Sequence, residues 1–471
     1  MRPLRSLLQA LALGAAPAPA QAPDPPLIPP PLARPGPLRG YSALTTFTVA
    51  VSWLEQWLGP EIPDLAVHSA YLSYLGRRPR FDEAGQPILD DRGEQEADLV
   101  PMSGRVFYPP TWRVPLGRRL PLVVYPHFTS LAKRAVPSAF GGHEWIFAAA
   151  AALYYGIAVA MPDLPGMGAD AVHGHPFCHA KSLAWSTLDA IPAALDLFRA
   201  DPWLVAGGYR WNGQVYLVGY SEGAYASLAA VKEVATHPEA YPTGRWGITG
   251  AACMSGPFDL SDQARADLIR PGASFTYCFF LPYLLTAWHA VYGPRVDLRE
   301  AFAPALLEER EDGGILSWMD GTLDGFEAGD LIARRLGKAQ DQVTVRDILN
   351  PAWVERELED PAYGGSTMRT LLAENDLHRG WRPFCPLLFC HSPADRDLSY
   401  RQTLRTAECL RQEALRAGDD PGALVRVAPI GGPDSGWTHL SAIAIALPAA
   451  FEWIRRGMPM EPDERTTRAI R

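Results

Sequence analysis

The sequence predicts an α/β protein in which helices flank a mostly parallel β-sheet and a helical segment forms a cap. Short apolar runs of strand length alternate with helix-forming segments along most of the chain. Several runs are apolar throughout, which is typical of parallel strands that are covered on both faces. One interval of roughly 130 residues, between Ser255 and Pro386, breaks this alternation and is far longer than an ordinary crossover.

Composition limits the function classes. A chain of 471 residues with 48% hydrophobic content can bury a large core, either as one domain with an insertion or as two domains. The net charge is −9, and no Lys/Arg run follows the first five residues, so no nucleic-acid partner is expected. No G-x-G-x-x-G follows a predicted strand, and we expect no cofactor.

The two ends of the chain are expected to lie outside the fold. Residues 1–20 combine a basic start, an apolar stretch and the small residues Ala18-Pro-Ala20, which predicts a signal peptide and a secreted or periplasmic protein. A disordered leader is the alternative. Residues 21–40 form a proline-rich linker, and 461–471 a polar tail. The six cysteines are compatible with an oxidising compartment, but they predict no particular pairing.

The predicted core comprises residues 41–255 and 376–460. Tyr41–Leu58 and Leu65–Leu75 are predicted as a helix pair on the outside of the domain, and Asp98–Tyr108 as an edge strand. Strands and helices then alternate. In chain order, the sequence predicts strand Leu120–Tyr125, helix Trp145–Tyr155, strand Ile157–Met161, helix Lys181–Arg199, a strand from Val215, helix Ala224–Ala235, and strands Ile248–Met254, Pro386–Cys390 and Ala423–Ala428.

Residues 256–375 are predicted as the mainly helical cap. They contain the aromatic run Phe275–Trp288, in which Pro282 and the polar residues on either side favour a buried lid helix over a membrane span. An apolar cap suggests an apolar substrate. A transient contact with a lipid interface, or with a second copy of the chain, is an alternative role that the sequence leaves open.

The strongest chemical signal is Gly219-Tyr220-Ser221-Glu222-Gly223, a G-x-S-x-G between a predicted strand and a predicted helix. At such a turn the serine is strained and exposed above the sheet, and the flanking glycines avoid collisions with the neighbouring backbone. Ser221 is therefore our candidate nucleophile. An ordinary helix N-cap is the alternative interpretation.

A serine nucleophile needs a histidine base and an acid that orients the base. Asp395 follows a predicted strand and is the candidate acid, with Asp397 as the alternative. His439 follows the last predicted strand in a glycine-rich loop and is the candidate base. The chain order Ser221, Asp395, His439 is the order that this arrangement requires on an α/β sheet.

An oxyanion hole needs two aimed backbone N–H groups. One is expected from Glu222, which follows the nucleophile, and the second from Thr129 in the loop after the strand Leu120–Tyr125, with Phe128 as the alternate. The loop His173–His179 contains three histidines and Cys178, but its spacing matches no known metal site. We expect no metal and interpret it as a loop that borders the active site.

Several further motifs resemble the α/β-hydrolases and, more narrowly, the secretory lipase family. They are Tyr125-Pro-His-Phe-Thr129 with Val136-Pro-Ser138, Pro162–Gly168 with His175-Pro-Phe177, Leu188-Asp-Ala-Ile191, Gly219–Gly223, and Leu372–Leu377 with Trp381-Arg-Pro383. Together they span most of residues 98–445.

This resemblance implies ester hydrolysis by Ser221, His439 and Asp395, with a cap over an acyl-binding tunnel. Phe128, Tyr220, Phe279 and Phe280 are the candidate substrate-binding residues. We therefore predict a serine esterase or lipase that acts on a small-molecule or lipid ester. A serine peptidase of related fold, in which Glu222 recognises a charged substrate terminus, and a non-catalytic binding protein are the alternatives.

Overall fold

The structure is a computed structural model that describes residues 38–40, 45–49, 65–109, 114–142, 144–241, 246–360 and 365–457. Within these ranges, ten strands form a single sheet. They are β1 (Leu38–Gly40), β2 (Thr45–Val49), β3 (Leu65–Pro79), β4 (Ala97–Tyr108), β5 (Arg119–Val124), β6 (Ala158–Pro162), β7 (Arg210–Tyr220), β8 (Ile248–Met254), β9 (Leu387–His391) and β10 (Val425–Pro429). The order across the sheet is β1-β3-β4-β6-β5-β7-β8-β9-β10, and β2 pairs with β3.

The strands from β5 onward pair in parallel, whereas β3 with β4 and β4 with β6 are antiparallel. The predicted mostly parallel α/β sheet is therefore confirmed. Its parallel strands all end at one edge, so the loops that follow β5, β7, β9 and β10 meet there. These are the loops that carry the candidate residues.

The α-helices lie between the strands and in the segment that joins β8 to β9. They are α1 (Trp145–Tyr155), α2 (Ala180–Ala200), α3 (Pro202–Ala206), α4 (Glu222–Thr236), α5 (Arg265–Ile269), α6 (Phe280–Tyr292), α7 (Leu298–Ala301), α8 (Pro304–Leu307), α9 (Ile315–Trp318), α10 (Gly325–Leu336), α11 (Val345–Ile348), α12 (Pro351–Val354), α13 (Thr367–Glu374), α14 (Tyr400–Arg416), α15 (Pro421–Leu424) and α16 (His439–Gly457). The predicted helices Trp145–Tyr155, Lys181–Arg199 and Ala224–Ala235 are confirmed to within two residues at each end.

Both faces of the sheet are covered, as the uniformly apolar strands predict. In β5, Leu122 and Val124 join the core on the α2 and α4 side, whereas Val123 joins the core on the α1 and α16 side. All six cysteines are unpaired. Cys253 and Cys390 lie buried within β8 and β9, so they act as small apolar residues of the core.

Two predictions near the start of the domain are wrong. The predicted outer helix Leu65–Leu75 is instead part of strand β3, and Thr45–Val49, inside the other predicted helix, is strand β2. Along β3 the buried Leu72 and Tyr74 alternate with the more exposed Ser73 and Leu75, which is the two-residue period of a strand. The same apolar residues also match a helical spacing, which explains the error.

Strand β4 also differs from its prediction, because it lies inside the sheet between β3 and β6 and not at an edge. The last three residues of the predicted linker, Leu38–Gly40, form β1. The predicted signal peptide, the rest of the linker and the polar tail lie outside the described residues.

Among its described residues, the segment between β8 and β9 consists of helices, turns and isolated bridges. Most of the aromatic run predicted as a lid helix belongs to α6, whose Leu281, Tyr283, Leu285 and Trp288 are buried. No helix in the described ranges is both long enough and apolar enough to cross a membrane.

Candidate active site

Ser221 lies at the sharp turn between β7 and α4. Its backbone adopts φ 54° and ψ −120°, a left-handed φ that is strained for a residue with a side chain. A Cβ at Gly219 would lie 2.0 Å from the carbonyl oxygen of Gly223, and one at Gly223 would lie 2.1 Å from that of Pro126. Both positions therefore require glycine, and the turn holds Ser221 above the carboxyl edge of the sheet.

The structure brings Ser221, His439 and Asp395 together from three separate loops. His439 Nε2 lies 2.9 Å from Ser221 Oγ, and His439 Nδ1 lies 2.7 Å from Asp395 Oδ2. All three residues are at least nine-tenths buried. With Nδ1–H donating to the carboxylate, Nε2 is left to accept the serine proton, so the arrangement suits general-base activation of a hydroxyl.

Burial and charge act in opposite directions on this pair. Burial alone would raise the pKa of Asp395, but the charge of His439 and hydrogen bonds from His391 and His439 hold it well below its usual range. Burial likewise lowers the pKa of His439, and the Asp395 carboxylate more than offsets this, so the net pKa is raised above 6.5. Asp395 thus stays ionised and supports a proton on the imidazole.

Asp395 is held by more groups than the sequence predicted. Its Oδ1 accepts the backbone N–H groups of Asp397 and Leu398, and its Oδ2 also faces His391 Nε2 at 3.1 Å. Asp397, the alternative acid, donates its backbone N–H here, while its own carboxylate accepts the N–H of Thr276 at 2.5 Å. In the sequence His391 is only the residue that follows the predicted strand Pro386–Cys390, so nothing marked this contact beforehand.

A second contact joins the loops of the acid and the base. Ser392 Oγ donates to the backbone oxygen of Trp437 at 2.8 Å, two residues before His439. The hydroxyl of Tyr220 donates to the backbone oxygen of His439 itself. The histidine is therefore fixed by its backbone as well as by its ring.

The loop after β5 approaches the start of α4 and carries the candidate oxyanion donors. Phe128 N–H donates to Glu144 Oε2 at 2.6 Å, so the alternate donor of this loop is already engaged. In the described part of the chain, the N–H groups of Thr129 and Glu222 have no hydrogen-bond acceptor. Both residues line the cavity that contains Ser221. These two N–H groups are therefore free for an oxyanion.

The cavity beside Ser221 has a volume of ≈ 130 Å³, against about 10–15 Å³ for a single water. Its wall is mainly apolar. Phe280, Leu281 and Leu284 of α6 and Leu260 and Leu268 from the start of the same insertion form much of it. Ser221, His439, Thr129 and Glu222 line the same cavity. The cavity therefore suits an apolar chain attached to a polar reacting group.

Of the four predicted substrate-binding residues, the cavity wall includes only Phe280. We correct the other three. Tyr220 is 1% exposed and packs, with its ring beside His439, in the core on the α1 and α16 side. Phe279 packs against Phe280 with the two rings tilted by 33°, and it fills the space over Gly325. Phe128 packs against the core on the α1 and α16 side. The position of a residue in the sequence does not determine the direction of its side chain. The sequence therefore could not distinguish Phe280, which lines the cavity, from the three residues that do not.

The histidines of the loop His173–His179 face separate partners. His173 Nδ1 lies 2.5 Å from Asp170, His179 Nδ1 lies 2.8 Å from Ser182 Oγ, and His175 Nε2 lies 2.6 Å from Glu222 Oε1. These rings do not converge on a metal. His175 instead binds the side chain of the residue after the nucleophile, so the loop borders the site.

One group in the described ranges has the separations of metal ligands, namely Asp259, Asp262 and His378. Arg405 Nε lies 3.1 Å from Asp259 Oδ2, and a guanidinium nitrogen of Arg379 lies 3.5 Å from Asp262 Oδ2. Guanidinium groups therefore already compensate these carboxylates, and the group carries no argument for a metal.

Solved structures with a similar fold include a presumed hydrolase from Legionella pneumophila, with a TM-score of 0.68 at 20% identity over 90% of this chain and 99% of that one. The rice cell wall degrading esterase LipA from Xanthomonas oryzae has a TM-score of 0.64 at 20% identity, over 90% of this chain and 97% of its own. Candida antarctica lipase A in its closed state has a TM-score of 0.54 at 13% identity, over 90% and 82%.

No protein-family model matches the chain, and no curated protein matches it by sequence. At such low identities the similarity to solved structures concerns the fold alone.

Proposed function

We propose that this chain, which has the α/β-hydrolase fold of these esterases and lipases, hydrolyses carboxylic esters through an acyl-enzyme intermediate. One observation carries the proposal. The strained Ser221 is hydrogen-bonded through His439 to Asp395 at 2.9 Å and 2.7 Å, beside a largely apolar cavity. A merely structural serine gives no reason for all three features to coincide.

In the first half of the reaction, Ser221 Oγ forms a bond to the ester carbonyl carbon while its proton moves to His439 Nε2. Collapse of the tetrahedral intermediate breaks the bond from this carbon to the alcohol oxygen, which takes the proton from His439. In the second half, water replaces the alcohol and the steps run in reverse. Asp395 orients His439 and stabilises the imidazolium throughout.

The negative charge that develops on the carbonyl oxygen needs donors that are already in place. Glu222 N–H at the start of α4 and Thr129 N–H in the loop after β5 are unengaged and border the cavity. They are the proposed oxyanion hole, and the N-terminus of α4 adds a favourable partial charge. Removal of one such donor typically lowers kcat by about 10²- to 10³-fold.

The proposed preference for an apolar substrate follows from the residues that line the cavity. We propose that residues 256–375 act as a cap whose α6 and Leu260–Ile269 segments bind the apolar part of the ester, which is its acyl chain in the simplest arrangement. The side chains of α6 turn largely inward, so this helix offers little exposed apolar surface for a lipid interface. Apolar burial of about 0.8 kcal/mol per methylene would give a preference for medium over very short chains.

The peptidase alternative depends on Glu222 binding a charged substrate terminus. Glu222 is 1% exposed, and its Oε1 is engaged by His175 at 2.6 Å. Its Oε2 has no hydrogen-bond partner in the described part of the chain, but this oxygen is itself buried, so the carboxylate is not exposed to a charged substrate terminus. This observation favours ester over peptide substrates.

A fluorophosphonate probe tests the proposed chemistry directly. We expect one adduct per chain on the peptide that contains Ser221, no adduct in Ser221→Ala, and labelling slowed by several orders of magnitude in His439→Ala. Failure of the folded wild type to react would contradict the nucleophile. Labelling without turnover of any ester would keep the serine hydrolase and reject the ester substrate.

A further inference from the structure

A buried carboxyl group lies directly behind the loop that carries Thr129. Glu144 immediately precedes helix α1 and is 5% exposed. Its Oε2 accepts Phe128 N–H at 2.6 Å, and its Oε1 is hydrogen-bonded to the hydroxyl of Tyr125. Both partners belong to the five-residue stretch that ends at Thr129. Among the described residues, the carboxyl group has hydrogen-bond partners only in this stretch.

This carboxyl group is unusual in having no positive partner in the described part of the chain. Burial raises the pKa of Glu144 to about 8, although the hydrogen bonds from Tyr125 and Phe128 act in the opposite direction. A buried ionisable group without a counter-charge opposes folding, and an apolar side chain would fill the same space at less cost. Such groups occur chiefly where they have a role in a site.

The contacts of Glu144 and His127 together fix two successive peptide groups. Glu144 holds the N–H of Phe128, and His127 Nδ1 donates to the carbonyl oxygen of Phe128 at 2.8 Å. The second peptide group also contains the N–H of Thr129, because a trans peptide is planar and its C=O and N–H point in opposite directions. Thr129 N–H is therefore directed away from the His127 ring.

The His127 ring is itself held. Its Nε2 accepts the N–H of Leu164 at 3.4 Å, and burial lowers its pKa, which keeps the ring neutral. The absence of a side chain at Gly223 allows the carbonyl of Pro126 to pack against α4. Of these contacts, the one made by Glu144 fixes the peptide that precedes Phe128. Without it, the hydrogen bond from His127 to the carbonyl oxygen of Phe128 would be the remaining restraint on rotation about the two backbone bonds of Phe128, so Thr129 N–H would be held less firmly.

We propose that Glu144 is the positioning residue of the oxyanion hole. Glu144 accepts Phe128 N–H and so holds the backbone of Phe128 in place, which keeps Thr129 N–H directed at the carbonyl oxygen of the reacting ester. The inference rests on the proposed function. Glu144 touches neither substrate nor Ser221, and it acts through the backbone of Phe128. Its loss is expected to affect the transition state more than substrate binding, because the oxyanion forms only during the reaction.

Three substitutions separate this role from a general role in stability. Glu144→Gln keeps an oxygen that accepts Phe128 N–H. Glu144→Asp shortens the side chain by one methylene and so moves the acceptor away from Phe128 N–H, and Glu144→Leu removes the acceptor. Glu357 supplies the matched control, since it is 7% exposed, accepts the backbone N–H of Met368 at 3.0 Å and lies outside the cavity wall. Glu357→Leu therefore loses the same kind of contact elsewhere in the fold.

The experiment measures kcat and KM for p-nitrophenyl octanoate and the inhibition constant of an alkyl boronic acid, which mimics the tetrahedral intermediate. We expect Glu144→Leu to lower kcat by about 10- to 100-fold with KM changed less than about 3-fold, and to weaken boronate binding in parallel. Glu144→Asp should show a smaller loss, and Glu144→Gln should stay within about 3-fold of the wild type.

The inference would be overturned if Glu144→Leu had the same kcat as the wild type. If the leucine variant does not fold, the same result in Glu144→Asp would overturn it. An equal fall in Glu357→Leu would overturn it too, because a general loss of stability would then explain the effect. The wild type in the same assay separates the two proposals. An inactive wild type contradicts the ester hydrolase, whereas an active wild type with unaffected Glu144 variants contradicts only the positioning role.

Discussion

The imidazole of His391 is hydrogen-bonded to the carboxylate of Asp395, with Nε2 3.1 Å from Oδ2. The same nitrogen lies 3.0 Å from the backbone oxygen of Leu398, so it faces two acceptors and must carry the proton. The proposed acid is therefore shared by two histidines, the proposed base His439 and His391. Because His391 is fully buried, this contact orients the carboxylate permanently.

We predict that His391→Phe, which keeps a ring but removes the donor, lowers kcat by about 10-fold with little change in KM. The reason is that one charge-assisted hydrogen bond, worth about 1.5–3 kcal/mol, no longer orients Asp395. Steady-state kinetics on an ester substrate measure this. Thr403→Val removes only the contact to His391 Nδ1, at 2.7 Å, and should have a smaller effect. Unchanged kcat in His391→Phe would show that the contact is irrelevant to the reaction.

The pH dependence of kcat/KM should report His439. The imidazole must be neutral to accept the serine proton, and its pKa is raised above 6.5 by Asp395, so activity should fall as the pH drops through a midpoint above 6.5. In Asp395→Asn the two largest effects that raise the pKa of His439 are removed, and burial, which lowers this pKa, is opposed only by the more weakly acting charge of Asp397. The midpoint should then move to lower pH than in the wild type, and the rate should fall by roughly 10⁴-fold. A midpoint that does not move would assign the acid limb to another group.

The Glu144 carboxyl should make the folded state less stable at alkaline pH. Its pKa is raised from 4.5 to about 8, so the folded state binds a proton that the unfolded state has released between these values. The contribution of Glu144 to the free energy of unfolding is therefore fully present below about pH 4.5 and is lost as the pH rises through about 8.

Urea unfolding of the wild type and Glu144→Gln at pH 5 and pH 9 measures this contribution. We expect the difference in unfolding free energy between the two proteins to shift by a few kcal/mol in favour of Glu144→Gln at pH 9. Glu357→Gln serves as the comparison for the general effect of replacing a buried glutamate by glutamine. Parallel pH curves for the wild type and Glu144→Gln would mean that Glu144 is already ionised in the fold.

Chain-length selectivity should depend on the cap wall. Leu284 of α6 lines the cavity, and Leu284→Trp should fill part of it. Esters of octanoate and longer acids should lose about 10-fold or more in kcat/KM relative to butyrate, since each misplaced methylene is worth about 1–3 kcal/mol. Leu316→Trp, at a position that is 40% exposed, should leave the profile unchanged. Identical profiles for both variants would show that the acyl chain binds elsewhere.

The sequence predicted those parts of the site that have local signatures. Ser221 lies in a strand-turn-helix motif, and Asp395 and His439 follow strands in the expected order, so parallel sheet topology was enough to bring their loops together. His391 and Glu144 have no such signature, and His175 was predicted only as part of a loop that borders the site. Their roles depend on contacts between residues distant in sequence, which a single chain does not reveal without the fold.

The errors in fold prediction have a related cause. The apolar residues of β3 match both a helical and a strand spacing, and pairing with β4 over His68–Pro79 selects the strand. Similarly, the aromatic run of the cap predicted an apolar lining, but packing decides that Phe280 faces the cavity while Phe279 faces Gly325. Pattern predicts where an element lies, and packing determines what its side chains contact.

The most direct test of the central claim is hydrolysis of p-nitrophenyl esters from acetate to palmitate by the wild type and Ser221→Ala. Ser227→Ala, which removes another buried hydroxyl from the same helix, serves as the matched control. We predict activity in the wild type and in Ser227→Ala, with an optimum at medium or long chains, and a loss of at least about 10³-fold in Ser221→Ala. A folded wild type without activity at any chain length, or full activity in Ser221→Ala, would contradict the account.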